Sequence, residues 1–343
     1  MAASKSIIFI LLLLMAYSSQ GQWKPVRFIS DEKNKKVDVL IDGKLFTSYR
    51  YPGDLEKPVL YPIFTANGTV ITRGFPRNPR PGERVDHPHQ VGLWFNYGDV
   101  NGLDFWNNSY AIPANEKEKY GSIRHQRILS ADDDKGTLIV QTHWLNSQGK
   151  VLLVEESTFV FSGTENLRMI DRTTKLTAQS IAVKFNDSKE GLMGLRVDRA
   201  FEEPTNKPEV FTDARGKPTE VPVMNNDGVN GVYRNSNGQE KGDVWGKRAN
   251  WVSLSATKGI EPITIAIIDH KKNIGYPAHW HARNYGLFAV NNLGSKVYVP
   301  SDPQTNYTLN PGESMILNHR ILISAGKFLS PEEMNQQFSD FNK

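Results

Sequence analysis

The chain has no cysteine in 343 residues. That excludes disulfides, thiolate metal sites, a cysteine nucleophile and a lipid-anchored N-terminal cysteine, so stability must come from a sizeable hydrophobic core. A basic stripe is missing too. The formal net charge is +4, and lysines and arginines mix with acids in runs such as GDLEKP (53–58) and NEKEKYGS (115–122), so nucleic acid is not an expected partner. Long apolar runs are absent with one exception, IIFILLLLMAY at 7–17, which follows Lys5 and precedes SSQGQ. It is shorter than the roughly 20 residues that a membrane-spanning helix needs. With those flanks it reads as a secretory signal peptide, residues 1–21, leaving a soluble, exported mature chain in the periplasm or outside the cell.

Helical patterning is scarce as well. Apolar alternation in KKVDVLIDGKLFTSY (35–49) around Asp42-Gly43 predicts a β-hairpin. Further β-branched runs at 136–145, 151–161, 167–178, 250–256, 263–269 and 315–324 are separated by Gly, Asn, Asp and Pro. Only the end is helical in character, where Ser330-Pro331-Glu332-Glu333 forms a capping box with proline at the first helical position. Many strands without intervening helices imply an all-β, antiparallel β-sandwich with a short C-terminal helix. No internal repeat is visible. The stretch 202–247, poor in hydrophobics and rich in Pro, Asn and Gly, is expected to be a long loop excursion within one domain spanning 22–343.

The chemistry concentrates in three segments. In DHPHQVGLWFNYGDVNGLDFW (86–106), His87 and His89 are two apart and would share a face of an extended backbone, with Asp86 able to orient an imidazole. Pro88 favours that extended geometry at His87. Trp94 and Trp106 offer flat surface for a sugar ring, with Asp104 for its hydroxyls. In YPAHWHARNYG (276–286) the His-x-His spacing returns at His279 and His281, with Trp280 between them and Arg283 and Tyr285 following. Four of the eight histidines lie in these two pairs. They could act as acid–base catalysts, bind a divalent metal, or be hydrogen-bonded structural groups. In FNDSKEGLMGLRVDRAFEE (185–203), Glu190 precedes an alternating strand whose Leu192, Gly194 and Arg196 share a face. A glutamate and an arginine near histidines would supply a base and a fixed cation. Asp171-Arg172 reads as a surface ion pair or a buried network, and Asp269-His270 as a strand end running into a polar turn.

Taken together, segment 86–106, RMIDRTTKL (168–176), DSKEG (187–191) and IDHKKNIGYPAHWHARNYGLFAVNNLG (268–294) are similar to the exported bacterial family labelled PmoA-like, or methane oxygenase PmoA. The family commonly reads DHPHHRG where this chain has Gln90 in place of a third histidine, and often has proline where Lys271 stands. The resemblance implies a β-sandwich protein of carbohydrate-degrading bacteria. It does not bring methane oxidation with it, since a membrane methane monooxygenase subunit needs several transmembrane helices. LNPGESMILNHRILIS (309–324) also resembles the final strands of galactose-mutarotase-like supersandwich proteins. The expected function is acid–base chemistry on a saccharide, of epimerase, lyase or hydrolase type. Catalytic candidates are His87, His89, Glu190, Arg196, His279, His281 and Arg283. Asp86, Trp94, Asp104, Trp106, Trp280 and Tyr285 are candidates for holding the sugar. No cofactor is firmly implied. A non-catalytic glycan-binding protein and a metal-dependent enzyme are the alternatives.

Overall fold

The structure, a computed structural model, describes residues 22–343; the expected signal peptide lies outside them. Strands β1 (Val26–Asp31), β2 (Lys36–Ile41), β3 (Lys44–Arg50), β4 (Val59–Ile63) and β5 (Leu93–Tyr97) open the chain. A meander follows, β6 (Ser122–Asp132), β7 (Thr137–Leu145), β8 (Val151–Gly163) and β9 (Leu167–Ala178). Then come β10 (Val183–Phe185), β11 (Gly191–Arg196), β12 (Val232–Asn235), β13 (Trp251–Lys258) and β14 (Glu261–Asp269). Finally β15 (His279–Arg283), β16 (Leu287–Asn291), β17 (Tyr307–Leu309), β18 (Ser314–Ala325) and helix α1 (Pro331–Phe341) complete it. Two eight-stranded sheets result, in the orders β1-β2-β3-β4-β5-β11-β16-β15 and β12-β13-β14-β18-β9-β8-β7-β6. Neighbours pair antiparallel throughout, as in β11 with β5 and β16, and β18 with β9.

The expected strands are present. At the β2–β3 turn Asp42 and Gly43 both have positive φ, 54° and 72°, as a type I′ hairpin turn requires. The Ser330 side chain caps α1 through the Glu333 amide while Glu333 reaches back to the Ser330 amide. The helix then buries Met334 and Phe338 on the outer side of the second sheet, against Met169, Trp251 and Leu322. The excursion at 202–247 is less free than its composition suggests. It contains β12, an edge strand of the second sheet, and from it Tyr233 crosses the core to donate to the Leu287 carbonyl of the first sheet at 3.0 Å.

Between the sheets lies one continuous apolar cluster to which both contribute, including Phe95, Tyr97, Met193, Leu195 and Phe288 from the first, and Trp144, Phe159, Ile170 and Ile321 from the second. One ion pair interrupts it. Asp171 and Arg172 are adjacent in a strand and therefore point oppositely. Asp171 binds Arg320 in bidentate fashion at 2.6 and 2.7 Å on the outer side. Arg172 turns inward to Glu155 at 2.8 Å and lies over the rings of Phe95 and Phe159. Glu155 also accepts from Trp144 Nε1 and Ser157 Oγ.

Removing one member of a buried pair strands the other charge, at a cost of about 3–5 kcal/mol. Arg172→Met is expected to lose that much in urea denaturation, and adding Glu155→Gln should restore most of it. A loss below about 1 kcal/mol in the single variant would show that the pair does not hold the core together.

Candidate functional site

The outer face of the first sheet, turned away from the second, carries most of the candidate residues. Alternation places Trp94 and Asn96 of β5, Gly194 and Arg196 of β11, and His279, His281 and Arg283 of β15 there, because their neighbours Phe95, Met193, Leu195 and Trp280 fill the inter-sheet core. Leu192 joins that core cluster, so the outward row of β11 begins at Gly194 rather than at Leu192. The 86–90 and 104–110 loops, Glu190 and Tyr285 surround this face.

Asp86 organises its centre. Arg73 Nη1 donates to Asp86 Oδ1 at 2.7 Å, Arg196 Nη2 donates to the same oxygen at 2.6 Å, and His87 Nδ1 donates to Oδ2 at 2.7 Å. Burial alone would raise this carboxyl, but Arg196, the His87 bond and Arg73 hold it well below the usual carboxylate range. The His87–Pro88–His89 segment is a turn and not extended, as Gln90 N donates to the His87 carbonyl and His87 has φ 46°. Left-handed backbone at a non-glycine residue is costly and persists only where surroundings impose it. Here Arg73 does so, donating through Nη2 to the carbonyls of His87 and Gln90. The His87 ring stacks on Tyr285 at 4.9 Å and leaves Nε2 as its exchangeable position.

Arg196 is fully buried, and besides Asp86 it donates to Gln90 Oε1 at 2.6 Å. It is therefore a clamp for the turn and not a free cation for a developing anion. Gln90 serves as its acceptor. The free cation is Arg283, which is exposed, makes no ion pair among the described residues, and lies 5.9 Å from the rings of both Trp245 and Tyr285.

Across from the dyad, Glu190 is partly buried. Asn107 Nδ2 donates to Glu190 Oε2 at 2.7 Å and to Asp104 Oδ2 at 2.8 Å, tying the two carboxyls together. Burial raises the Glu190 carboxyl, and Asp104 adds to this, against the Asn107 bond, Lys189 and His87. His281 Nδ1 donates to the Lys189 carbonyl at 3.0 Å, so its Nε2 is left to accept. Burial, reinforced by Arg283 and Lys189, lowers this imidazole to about 3. His279 lies deeper. It donates from Nδ1 to the Gly246 carbonyl and is stacked at 4.8 Å under Tyr298, a member of the wall with no opening of its own.

Three tryptophans cannot serve as sugar platforms. Trp280, between two outward histidines, necessarily faces the core, where Nε1 donates to the Ala249 carbonyl. Trp94 and Trp106 are fully buried, packed edge to face at 5.2 Å beneath Gly194. A Cβ at residue 194 would come within 2.5 Å of Trp94 and 3.0 Å of Trp106, which is why glycine stands there. The accessible rings are those of Trp245, Tyr285 and Tyr110. Trp245 and Asn107 were missed by sequence reasoning, as was Lys57, since nothing local marks a loop tryptophan, one of many asparagines or a lysine within DLEKP. Asp269 does not pair with the His270 ring. It is buried, accepts from Asn273, Asn292 and Ala278 N, and is raised to about 6 by burial.

Among the described residues no group of three or more histidine, aspartate or glutamate side chains is placed to hold a metal ion. Among them, too, no helix is long and apolar enough to cross a membrane. The two His-x-His pairs come together only in part. His87 and His281 are close enough to influence each other, while His89 points toward Lys57 beside β4 and His279 sits on β15. Four strand spacings separate β4 from β15, roughly 19 Å.

These features define an all-β antiparallel sandwich with a carboxylate–imidazole site on one outer sheet face. The chain belongs to DUF6807, a family of unknown function, whose profile matches residues 36–339. No curated protein matches it. Among solved structures it is similar to a GH36 α-galactosidase from Geobacillus stearothermophilus in complex with raffinose, at 12% identity and TM-score 0.37, covering 89% of this chain and 40% of that one. It is likewise similar to a putative aldose 1-epimerase from Escherichia coli K12, at 10% identity and TM-score 0.34, covering 90% of this chain and 100% of that one. A third is the Slr1438 protein from Synechocystis sp. PCC 6803, at 9% identity and TM-score 0.35, with 91% and 99% covered. This chain thus spans 40% of the length of the α-galactosidase.

Because His281 is lowered to about 3 in the fold and titrates near 6.5 when unfolded, the unfolded chain takes up the proton first as pH drops. The neutral imidazole therefore costs stability progressively as pH falls from about 6.5 towards 3. His281→Gln should relieve this, so that the stability difference between variant and wild type shifts in the variant's favour by about 2 kcal/mol from pH 7 to pH 5. A difference that stays constant over that interval would show that His281 titrates as an ordinary exposed histidine.

Proposed function

We propose that the chain is an exported carbohydrate-active enzyme that moves protons on a saccharide held against the outer face of its first sheet. The observation that carries this reading is the Asp86–His87 dyad, anchored by two arginines, beside a partly buried Glu190 whose carboxyl is raised by burial. Proton exchange is efficient when the exchanging groups are rigidly held within reach of the reacting atom. Glu190 and His87 Nε2 are the two positions of exchange, one giving and the other taking a proton at a sugar carbon or ring oxygen. Asp86 keeps the His87 tautomer and ring plane constant. His281 Nε2 accepts from a hydroxyl, Asn107 and Asp104 bind others, and the partly exposed Trp245 and Tyr285 rings meet the C–H face of a pyranose. Arg283 steadies negative charge that develops at the rim. Epimerisation, elimination and hydrolysis all use this proton pair and differ in what leaves. The PmoA-like kinship belongs to this reading as well, without its methane-oxygenase label.

The test is an NMR time course of the purified protein with panels of mono- and oligosaccharides. Turnover of one of them is expected, with Glu190→Gln and His87→Asn each lowering kcat on the order of 10²–10⁴-fold at unchanged fold by circular dichroism. If saccharides bind and none is converted, the protein is a glycan-binding module and the catalytic assignment fails.

A further inference from the structure

An opening lies at the β4 end of the same face. The pocket is lined by residues 54–57 and 59, Pro76 and Arg77, Pro88, His89 and Val91, and residues 108–110. Lys57 is buried in its wall, donating from Nζ to the His89 carbonyl at 2.9 Å and lying 5.6 Å from the Trp94 ring. An ammonium has three donors, and this one has no carboxylate in contact among the described residues. The acids around it are engaged elsewhere: Glu56 with Arg124 and Lys117, Asp54 with Arg77, and Asp104 with Asn107. Two more buried nitrogens close by, His89 Nε2 and Trp94 Nε1, have no partner among the described residues. His89 itself lines the pocket.

A buried cation without a counter-ion is costly unless something supplies the charge. We propose that this pocket binds a carboxylate, that of an acidic sugar, on Lys57 and His89. The exposed Tyr110 ring and Pro76 and Pro88 line its mouth and provide the flat apolar wall that a pyranose requires. The carboxylate site stands on these contacts alone; only its assignment to a sugar rests on the carbohydrate reading above. Burial lowers Lys57 to about 7 while Asp104 and Glu56 pull it upward, and burial together with Lys57 keeps His89 well below its usual value. Above about pH 7 the empty pocket therefore holds an amine, and an arriving carboxylate draws a proton onto it.

Titration calorimetry of the full chain with glucuronate, galacturonate, glucose, galactose and acetate tests this. At about pH 6 the uronates are expected to bind about ten-fold or more tighter than their neutral counterparts, and tighter than acetate. At about pH 8, measurements in buffers of different ionisation heat should show proton uptake with the uronates. Lys57→Met, which removes a buried charge and keeps the packing on Trp94, should abolish both the preference and the uptake. Glu190→Gln should lose turnover and keep them, which separates this site from the catalytic one. Equal binding of acidic and neutral sugars, no binding by any of them, or a preference that survives Lys57→Met would each overturn the proposal. Acetate binding as tightly as the uronates would overturn its assignment to a sugar.

Discussion

Everything on the outer face of the first sheet depends on one carboxylate. Asp86 accepts two guanidinium bonds on one oxygen and an imidazole bond on the other, and so ties Arg73 and Arg196, 13 and 110 positions away, to the turn that starts at its neighbour His87. Arg73 comes from the segment after β4, Arg196 ends β11, and His87 begins the turn. Two buried guanidiniums would repel one another in a low-dielectric interior, and a shared anion between them makes their proximity tolerable. Through Nη1 and Nη2 Arg73 also donates to the carbonyls of Arg84, Asp86, His87 and Gln90. The turn's backbone is thus wrapped around a cation, and the unusual conformation of His87 follows from that wrapping.

Close packing sets the second constraint. The face is floored by Trp94 and Trp106, and their large rings fit beneath β11 only because residue 194 has no side chain. Rigid indoles under the strand fix the height at which Arg196 meets Asp86. Above them, Tyr285 supports both the His87 ring and the Arg196 guanidinium, at 4.9 Å in each case. The polar centre is therefore held from below by shape and from within by charge.

Local patterns exposed much of this architecture. Alternation and turn residues located most of the long strands, though not β6, while Asp42-Gly43 placed the first hairpin and Ser330 placed the helix start, because each is decided within a few residues. The same period of two, applied strictly, would have sent Trp280 to the core once His279 and His281 were taken as outward. The expected extended path at His87 failed because Pro88 biases its neighbour only weakly, and Arg73, fourteen positions away, overrides it. Glu190, Asp86 and the histidines are visible by residue type. Lys57, Asn107 and Trp245 are not, because what distinguishes them is burial or orientation imposed by distant segments.

Asn107 has a consequence for direction. Its amide nitrogen can only donate, and it is spent on Oε2 of Glu190 and on Asp104. When Glu190 is in its acid form the Asn107 donor favours the hydroxyl hydrogen on the other oxygen, Oε1. Two chemically equivalent oxygens have become a donor and a tether. In the proposed reaction the proton is exchanged at Oε1, and Asn107 holds the carboxyl plane in which that oxygen lies.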